Sequence, residues 1–116
     1  MDITIYHNPR CSKSRATLER IRARGIEPDI IEYLVAPPDA ATLARLLEQL
    51  GLRARELART GEAAWSEAGL DAASDDAAIV AAMTAHPILI ERPIVVAGER
   101  AVLGRPPENV DALLDA

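Results

Sequence analysis

Aromatic residues are scarce in this chain, which has no phenylalanine, one tryptophan and two tyrosines. Because 49% of the residues are nevertheless hydrophobic, the sequence predicts a core of leucine, isoleucine, valine and alanine. A chain of 116 residues is long enough to bury one modest core. We therefore expect a single domain that spans residues 1–116.

Cysteine is nearly absent, and Cys11 is the only example. One thiol excludes an internal disulfide, so a reducing compartment is expected and we predict a cytoplasmic protein. The two histidines, His7 and His86, are too few and too far apart in the sequence to form a zinc site with Cys11. The sequence therefore predicts neither a bound metal nor a bound cofactor.

The chain also lacks long hydrophobic runs and an excess of positive charge. No stretch approaches the length of a membrane-spanning helix, and the first residues lack the charged and apolar regions of a signal peptide. Thirteen lysines and arginines against 18 aspartates and glutamates give a net charge of −5. This balance argues against nucleic acid or an anionic membrane as the partner.

The most informative stretch runs from Ile3 to Leu18 and contains the single cysteine. It predicts a short strand, a turn at Asn8-Pro9 and a helix that begins at Cys11. A helix start leaves backbone N–H groups without intrahelical partners and carries partial positive charge. Such a position stabilises a thiolate and also suits a bound oxyanion.

Charged neighbours strengthen the case for a reactive thiol. Arg10, Lys13 and Arg15 add three cations within four positions of the sulfur, and nearby cations lower the pKa of a cysteine. The alternative is a cysteine packed as a small hydrophobic residue, which is the commoner fate of a free thiol. Because the residues beside Cys11 are Arg10 and Ser12, the reactive thiol is favoured.

The first part of the chain predicts a βαβ unit. Strands at Asp2–Tyr6 and Pro28–Leu34 flank a helix from Cys11 to about Arg24, and this spacing makes the two strands parallel. From about residue 39 to residue 86 the pattern is helical throughout, with Asp39 as the first cap. We interpret this block as an all-helical insertion.

The last part of the chain predicts a ββα unit. Strands at Pro93–Val96 and Ala101–Leu103 form a hairpin, and the segment 105–108 opens a final helix. A βαβ unit followed by a ββα unit, with the nucleophile at the start of the first helix, is the thioredoxin arrangement. The prediction is thus an α/β, thioredoxin-like fold with a helical insertion between the second and third strands. In that fold the proline before the third strand is often cis and lies beside the reactive cysteine, which predicts a cis bond at Pro93.

Several segments together resemble the ArsC-type arsenate reductases that are coupled to glutathione and glutaredoxin. The resemblance covers essentially the whole chain, including the helical insertion, and the joint pattern is highly specific. The matching segments are His7-Asn8-Pro9-Arg10-Cys11, Ser14-Arg15, Arg92-Pro93-Ile94-Val95-Val96 and Gly104-Arg105-Pro106.

The resemblance implies roles for particular residues. Cys11 matches the cysteine that attacks arsenate. Three arginines match those that bind the oxyanion: Arg59, Arg92 and Arg105. Arg59 rests on its helical context alone (R-E-L-A-R-T), whereas the other two lie within matching motifs. Three further residues match supporting positions near the thiol: His7, Ser14 and Pro93.

The resemblance also implies the reducing partners. Cys11 has no second cysteine to resolve a thiol–arsenate adduct, so an external thiol is required. In the family this thiol is glutathione, used as a co-substrate, and glutaredoxin follows it. We expect a monomer, because no apolar stripe is left over once the core is assigned.

Two other functions remain open at this point. A monothiol oxidoreductase of the same fold would act on glutathionylated proteins or on another small substrate. Ser12-Lys13 leaves room for it, since the best-known reductases have small residues there. A non-enzymatic regulator that shares the fold and binds RNA polymerase would typically carry a Cys-x-x-Cys pair, but the third residue after Cys11 is Ser14.

Overall fold

The computed structural model describes residues 1–115, and these residues divide into two compact units. The first unit comprises residues 1–36 and the segment from Arg92 onward, and the second comprises residues 37–91. The second unit includes the whole of the predicted insertion at about 39–86. The description of the chain as one domain with an insertion stays a prediction.

Four strands and six α-helices are formed by residues 1–115. In chain order they are β1 (Ile3–His7), α1 (Ser12–Ala23), β2 (Asp29–Glu32), α2 (Ala40–Leu50), α3 (Ala54–Leu57), α4 (Ala63–Glu67), α5 (Asp76–Ala85), β3 (Ile94–Ala97), β4 (Arg100–Leu103) and α6 (Val110–Leu114). Short 3-10 turns at Pro87–Leu89 and Pro107–Asn109 precede β3 and α6.

The sheet of the first unit has the strand order β2-β1-β3-β4. β1 runs parallel to β2, as the predicted βαβ unit requires. Helix α1 returns the chain to the end of the sheet at which β1 begins, so β2 starts from the same end. β3 pairs antiparallel with both β1 and β4, and the β3–β4 hairpin follows the prediction. This order and these directions confirm the thioredoxin-like fold class.

A single apolar cluster fixes α1 and α6 on the sheet. Strand β1 alternates buried residues with partly exposed Thr4 and Tyr6, the pattern of a strand with one face in a core. The cluster contains only aliphatic residues, as the composition predicts: Ile3, Ile5, Leu18, Ile21, Val95, Val110, Leu113 and Leu114. Burying each such side chain stabilises the unit by roughly 1.5–3 kcal/mol, so α1 is held firmly against β1.

Helix α1 begins and ends as the sequence predicts. Cys11 is its N-cap, with an extended backbone (φ −93°, ψ 122°). At the other end Gly25 adopts a φ of 76° and donates its N–H to the carbonyl of Arg22. Glycine reaches this left-handed conformation without steric cost, so it terminates the helix.

Ion pairs also connect α1 to α6. Asp111 accepts hydrogen bonds from both Nε and Nη2 of Arg20, and Arg24 Nη1 lies 2.6 Å from Asp115 Oδ1. The bond from Arg20 is the main cause of a lowered Asp111 pKa. Because these side chains are partly exposed, the ion pairs stabilise the helix contact less than the apolar cluster does.

The second unit is helical, and aspartate side chains cap two of its helices, one of them at the predicted position Asp39. Asp39 Oδ1 accepts from the Thr42 N–H at the start of α2 (2.8 Å), and Asp75 Oδ1 accepts from the Ala78 N–H at the start of α5 (2.9 Å). The interior of the unit is again aliphatic, with fully buried Leu43, Leu57, Ile79, Met83 and Leu89.

Two elements differ from their predicted bounds by more than one residue. The predicted strand Pro28–Leu34 is shorter, because the chain turns after Glu32, whose carbonyl accepts from the N–H groups of Val35 and Ala36. The last helix begins only at Val110, since Pro107–Asn109 form a 3-10 turn that is preceded by Pro106. The Arg92–Pro93 bond is cis, as predicted, and the Arg105–Pro106 bond is also cis, which the sequence analysis did not anticipate.

Gly104 packs between helix α1 and the segment that leads into β3. Its N–H donates to the Pro93 carbonyl (2.9 Å), and its carbonyl accepts from Thr17 Oγ1 (3.3 Å). A Cβ atom at this position would lie 2.5 Å from Thr17 Oγ1 and 2.9 Å from Pro93 Cγ. Only glycine therefore permits this approach, which sets the position of the following residue, Arg105.

We expect Gly104→Ala to lower the free energy of unfolding by about 1–3 kcal/mol, because the added methyl group overpacks a contact that cannot open without moving α1. Chemical denaturation followed by circular dichroism measures the change. Gly61→Ala is the matched control, since no atom lies within 4 Å of its added Cβ. Equal unfolding free energies for Gly104→Ala and the unmodified protein would contradict the prediction.

Candidate active site

The Cys11 thiol lies at the junction between a turn and helix α1. The Cys11 N–H donates to the Asn8 carbonyl (3.0 Å), and the Arg10 N–H donates to Asn8 Oδ1 (3.0 Å). The Cys11 carbonyl then accepts the first intrahelical bond, from Arg15 (3.0 Å). The turn therefore presents a partly exposed thiol at the helix N-terminus.

Opposing effects act on the ionisation of Cys11. Burial is the largest and would raise its pKa, but the backbone N–H groups of Ser14 and Lys13 and the charges of Arg92 and Arg105 together outweigh it. The pKa of the Cys11 thiol is therefore lower than its ordinary value. N–H groups at a helix N-terminus stabilise a negative charge placed beside them.

Arg105 is the side chain that approaches the sulfur from outside helix α1. Its Nη1 lies 4.0 Å from Cys11 Sγ and donates to the Arg92 carbonyl at 3.3 Å. This places a guanidinium beside the thiol, where it stabilises the thiolate and has donors of the kind that bind an oxyanion. Arg92 and Arg105 are thus both brought to Cys11 within the first unit, from positions more than 80 residues away in the sequence.

His7 and Ser14 form a buried pair directly beneath the turn. His7 Nδ1 lies 2.6 Å from Ser14 Oγ, and the Asn8 N–H donates to the same oxygen at 3.0 Å. His7 is 6% exposed and Ser14 is fully buried. Burial is the main cause of a lowered His7 pKa; Glu32 opposes this effect, and Arg22 and Arg15 add to it. A neutral His7 is therefore favoured, and its pairing with Ser14 ties the end of β1 to the first turn of α1.

The cations adjacent to Cys11 in sequence contribute less than expected. Arg10, Lys13 and Arg15 are exposed, and Arg15 Nη1 donates to the Pro9 carbonyl (2.9 Å). The charges that lower the pKa of Cys11 belong instead to Arg92 and Arg105. Proximity in the sequence correctly predicted that nearby cations lower the pKa of Cys11, but it identified the wrong side chains as those cations.

Arg59 lies in the second unit and is engaged with carboxylates there. Its Nη2 is 2.6 Å from Glu62 Oε1, its Nε is 3.9 Å from Glu91 Oε1, and its Nη1 donates to the Ile88 carbonyl (3.3 Å). The Arg59 N–H donates to the Leu89 carbonyl at 2.7 Å. Arg59 lies outside the helices, because α3 ends at Leu57. The helical context from which Arg59 was predicted is therefore wrong, and neither carboxylate partner was anticipated.

Pro93 and Thr17 support the site by fixing Gly104, the residue that precedes Arg105. Pro93 is buried and cis, and its carbonyl holds Gly104. Thr17 is fully buried, and its hydroxyl lies 2.8 Å from the Lys13 carbonyl as well as 3.3 Å from that of Gly104. Sequence reasoning missed Thr17, because a threonine on the inner face of a helix carries no signal for a partner 87 residues away.

Within residues 1–115, no group of three or more histidine, cysteine, aspartate or glutamate side chains is placed to hold a metal ion. In the same part of the chain, no helix is both long enough and apolar enough to cross a membrane. The chemistry that the described site offers is that of a thiolate beside two guanidinium groups and a helix N-terminus.

Comparison with known proteins gives full-length matches. The model of the ArsC family matches residues 6–113. The chain is 51% identical over 110 residues to the uncharacterized protein YfgD of Escherichia coli (strain K12), which covers 93% of this chain and 92% of that protein. It is 45% identical over 115 residues to a protein named arsenate reductase from Neisseria meningitidis, with 97% and 98% of the two chains covered.

A solved structure agrees with these sequence matches. The structure titled arsenate reductase from Vibrio cholerae superposes with a TM-score of 0.93 at 48% identity and covers 97% of each chain. The similarity therefore extends over both the sheet of the first unit and the helices of the second.

The buried imidazole of His7 predicts a pH-dependent stability. Its pKa is lower in the folded chain than its ordinary value of 6.5, so the unfolded chain binds the proton more tightly. Stability from His7 is complete above about pH 6.5 and is lost as the pH falls towards the folded-state pKa, with a slope of at most about 1.4 kcal/mol per pH unit.

Urea unfolding at pH 7.5 and 5.5 measures this loss, and His7→Asn is expected to reduce it. The comparison between variants cancels the contributions of other titrating groups. His86→Asn is the matched control, because it removes the other, exposed imidazole. This variant should lose as much stability between pH 7.5 and 5.5 as the unmodified protein does. The prediction is wrong if His7→Asn and the unmodified protein lose the same stability over this interval.

Removing the guanidinium beside the thiol should raise the pKa of Cys11. We expect Arg105→Leu to shift it upward by about half a unit to one unit, since a cation 4.0 Å from Sγ is lost. The pH dependence of alkylation by iodoacetamide measures the shift. Arg100→Leu, which removes an exposed arginine at the start of β4, should leave the pKa unchanged; an unchanged pKa in Arg105→Leu contradicts the assignment.

Proposed function

The chain belongs to the ArsC family, and we propose that it is an arsenate reductase in which Cys11 is the nucleophile. The observation that carries the proposal is the 4.0 Å approach of Arg105 Nη1 to Cys11 Sγ at a helix N-terminus. Arsenate is a tetrahedral dianion near neutral pH, so it repels a thiolate unless the charges on both are balanced. Arg92, Arg105 and the free N–H groups of α1 supply that balance.

The first chemical step joins the substrate to the protein. Cys11 Sγ forms a bond to arsenic, and one arsenate oxygen takes up protons and leaves as water. The oxidation state of arsenic does not change in this step. Arg92 and Arg105 bind the remaining oxygens, for which their planar paired donors are suited.

Reduction needs a second thiol that the chain does not contain, since Cys11 is its only cysteine. When an external thiol attacks, the two sulfurs become a disulfide and arsenic accepts two electrons. One arsenate and two thiols thus give one arsenite, one disulfide and one water. We propose glutathione as this thiol and glutaredoxin as the protein that reduces Cys11 again. A glutathione-rich cytoplasm is the matching compartment.

Supporting roles follow for His7 and Ser14. Their 2.6 Å contact fixes the first turn of α1 against the end of β1, and this turn carries the N–H groups that face the thiol. We assign them to positioning of the Cys11 turn.

Arg59 enters the proposal through the family resemblance. Its guanidinium already pairs with Glu62 at 2.6 Å, so an oxyanion has to share this cation with a carboxylate. Arg59 should therefore contribute less to arsenate affinity than Arg92 or Arg105, whose charges act on the Cys11 thiolate.

A coupled assay tests the proposal: purified protein, arsenate, glutathione, glutaredoxin, glutathione reductase and NADPH, with NADPH oxidation followed by absorbance. We expect turnover that depends on every component and is abolished in Cys11→Ser. In Arg92→Gln or Arg105→Gln, KM for arsenate should rise about tenfold or more, because a charge-assisted bond is lost. The rise in Arg59→Gln should be smaller.

Two other outcomes of these assays would contradict the proposed function or replace it with another. Arsenate turnover that survives in Cys11→Ser would contradict the mechanism. Absence of turnover, together with Cys11-dependent reduction of a glutathionylated peptide, would instead support the monothiol oxidoreductase. Arg100→Gln serves as the control for the loss of a cation, because its exposed side chain lies at the far end of β4 from Arg105.

A further inference from the structure

The side chain of Asn109 bridges two carbonyl groups near the turn between β4 and α6. Its Nδ2 donates to the Leu103 carbonyl at 3.2 Å and to the Arg105 carbonyl at 3.0 Å. The Asn109 N–H separately donates to the Pro106 carbonyl (3.0 Å). One carboxamide thus connects the end of β4 to the residue that reaches the thiol.

Few side chains can replace this bridge. A primary amide has two N–H donors on one nitrogen, and both are used here on carbonyl oxygens. Asn109 is exposed, so its contribution is not that of a core residue. An asparagine at this position is therefore better explained by these two hydrogen bonds than by packing.

The backbone of Arg105 is fixed on both sides of its Cα atom. On the preceding side, Gly104 is held by the Pro93 carbonyl and by the Thr17 hydroxyl. On the following side, the Arg105 carbonyl is held by Asn109. A long, flexible side chain that starts from a fixed backbone samples fewer positions, so its Nη1 stays close to Cys11 Sγ.

We propose that Asn109 is a positioning residue that keeps the Arg105 guanidinium beside Cys11 Sγ by holding the carbonyls of Leu103 and Arg105. The proposal deepens the function proposed above and relies on it only for the identity of the bound anion. Asn109 does not touch the thiol. Its effect on the site is transmitted entirely through Arg105.

The expected consequence is electrostatic. The attraction between a guanidinium and a thiolate falls as their distance grows, so a turn released from Asn109 stabilises the Cys11 thiolate less. We expect Asn109→Leu, which keeps the size but removes both donors, to raise the pKa of Cys11 by about half a unit. This corresponds to about a threefold lower thiolate fraction below the pKa. Asn109→Ala, which adds no bulk, should shift it in the same direction.

The test is a double-mutant cycle read by iodoacetamide alkylation as a function of pH. It compares the unmodified protein, Asn109→Leu, Arg105→Leu and the double variant. If Asn109 acts through Arg105, Asn109→Leu raises the pKa of Cys11 only when Arg105 is present, and the double variant matches Arg105→Leu. An unchanged pKa in both Asn109 variants, or an equal rise in the Arg105→Leu background, would overturn the proposal.

Asp111→Asn is the matched control for stability. It weakens the ion pairs of the same C-terminal helix, because Asp111 binds Arg20, but leaves the carbonyls of Leu103 and Arg105 bonded. It should lower the melting temperature without moving the pKa of Cys11. A pKa rise in Asp111→Asn equal to that in Asn109→Leu would mean that loss of helix stability explains the effect, and would overturn the proposal.

A second readout separates this proposal from the proposed function. In the coupled assay, Asn109→Leu should raise KM for arsenate about threefold while kcat changes by less than about twofold. The alkylation experiment needs no arsenate chemistry. If the unmodified protein does not reduce arsenate, the function fails while the double-mutant cycle still decides the role of Asn109.

Discussion

The close approach of Gly104 to helix α1 is the contact on which the geometry of the thiol site depends. Thr17 and Pro93 leave no room for a Cβ atom there, so the chain after β4 lies against the helix at the smallest possible distance. The next residue is Arg105, and its guanidinium consequently lies beside Cys11 Sγ. A polar arrangement at the site thus depends on steric packing in the interior, where side chains are close-packed.

Local charge at this site opposes the charge of the whole chain. The chain carries a net charge of −5, yet the groups around Cys11 are two arginines and the N–H end of a helix. A net charge describes solubility and long-range attraction, whereas a reacting anion responds to the donors within a few ångströms. An acidic protein can therefore bind an oxyanion, provided that the cations are gathered at one place by the fold.

Sequence patterns anticipated the features that depend on neighbouring residues. Strand and helix order, the N-cap at Cys11 and the cis bond at Pro93 all follow from local signals or from the resemblance. The sequence could not reveal that Arg105 rather than Arg10 affects the thiol, because that choice is made by packing between distant segments. The two hydrogen bonds of the Asn109 side chain could not be predicted for a related reason. Their acceptors are backbone carbonyls, which every residue has, so the sequence does not indicate which ones are used.

A lowered pKa of the Cys11 thiol also reduces the reactivity of each thiolate, and the structure limits this loss. Each group that stabilises the Cys11 thiolate increases its population near neutral pH but decreases its intrinsic nucleophilicity, and reactivity is greatest when the pKa lies near the ambient pH. Partial burial raises the pKa and therefore offsets part of the lowering by Arg92, Arg105 and the helix N–H groups. In the proposed reaction the arginines have a second role besides stabilising the thiolate, because they attract and hold the anionic substrate.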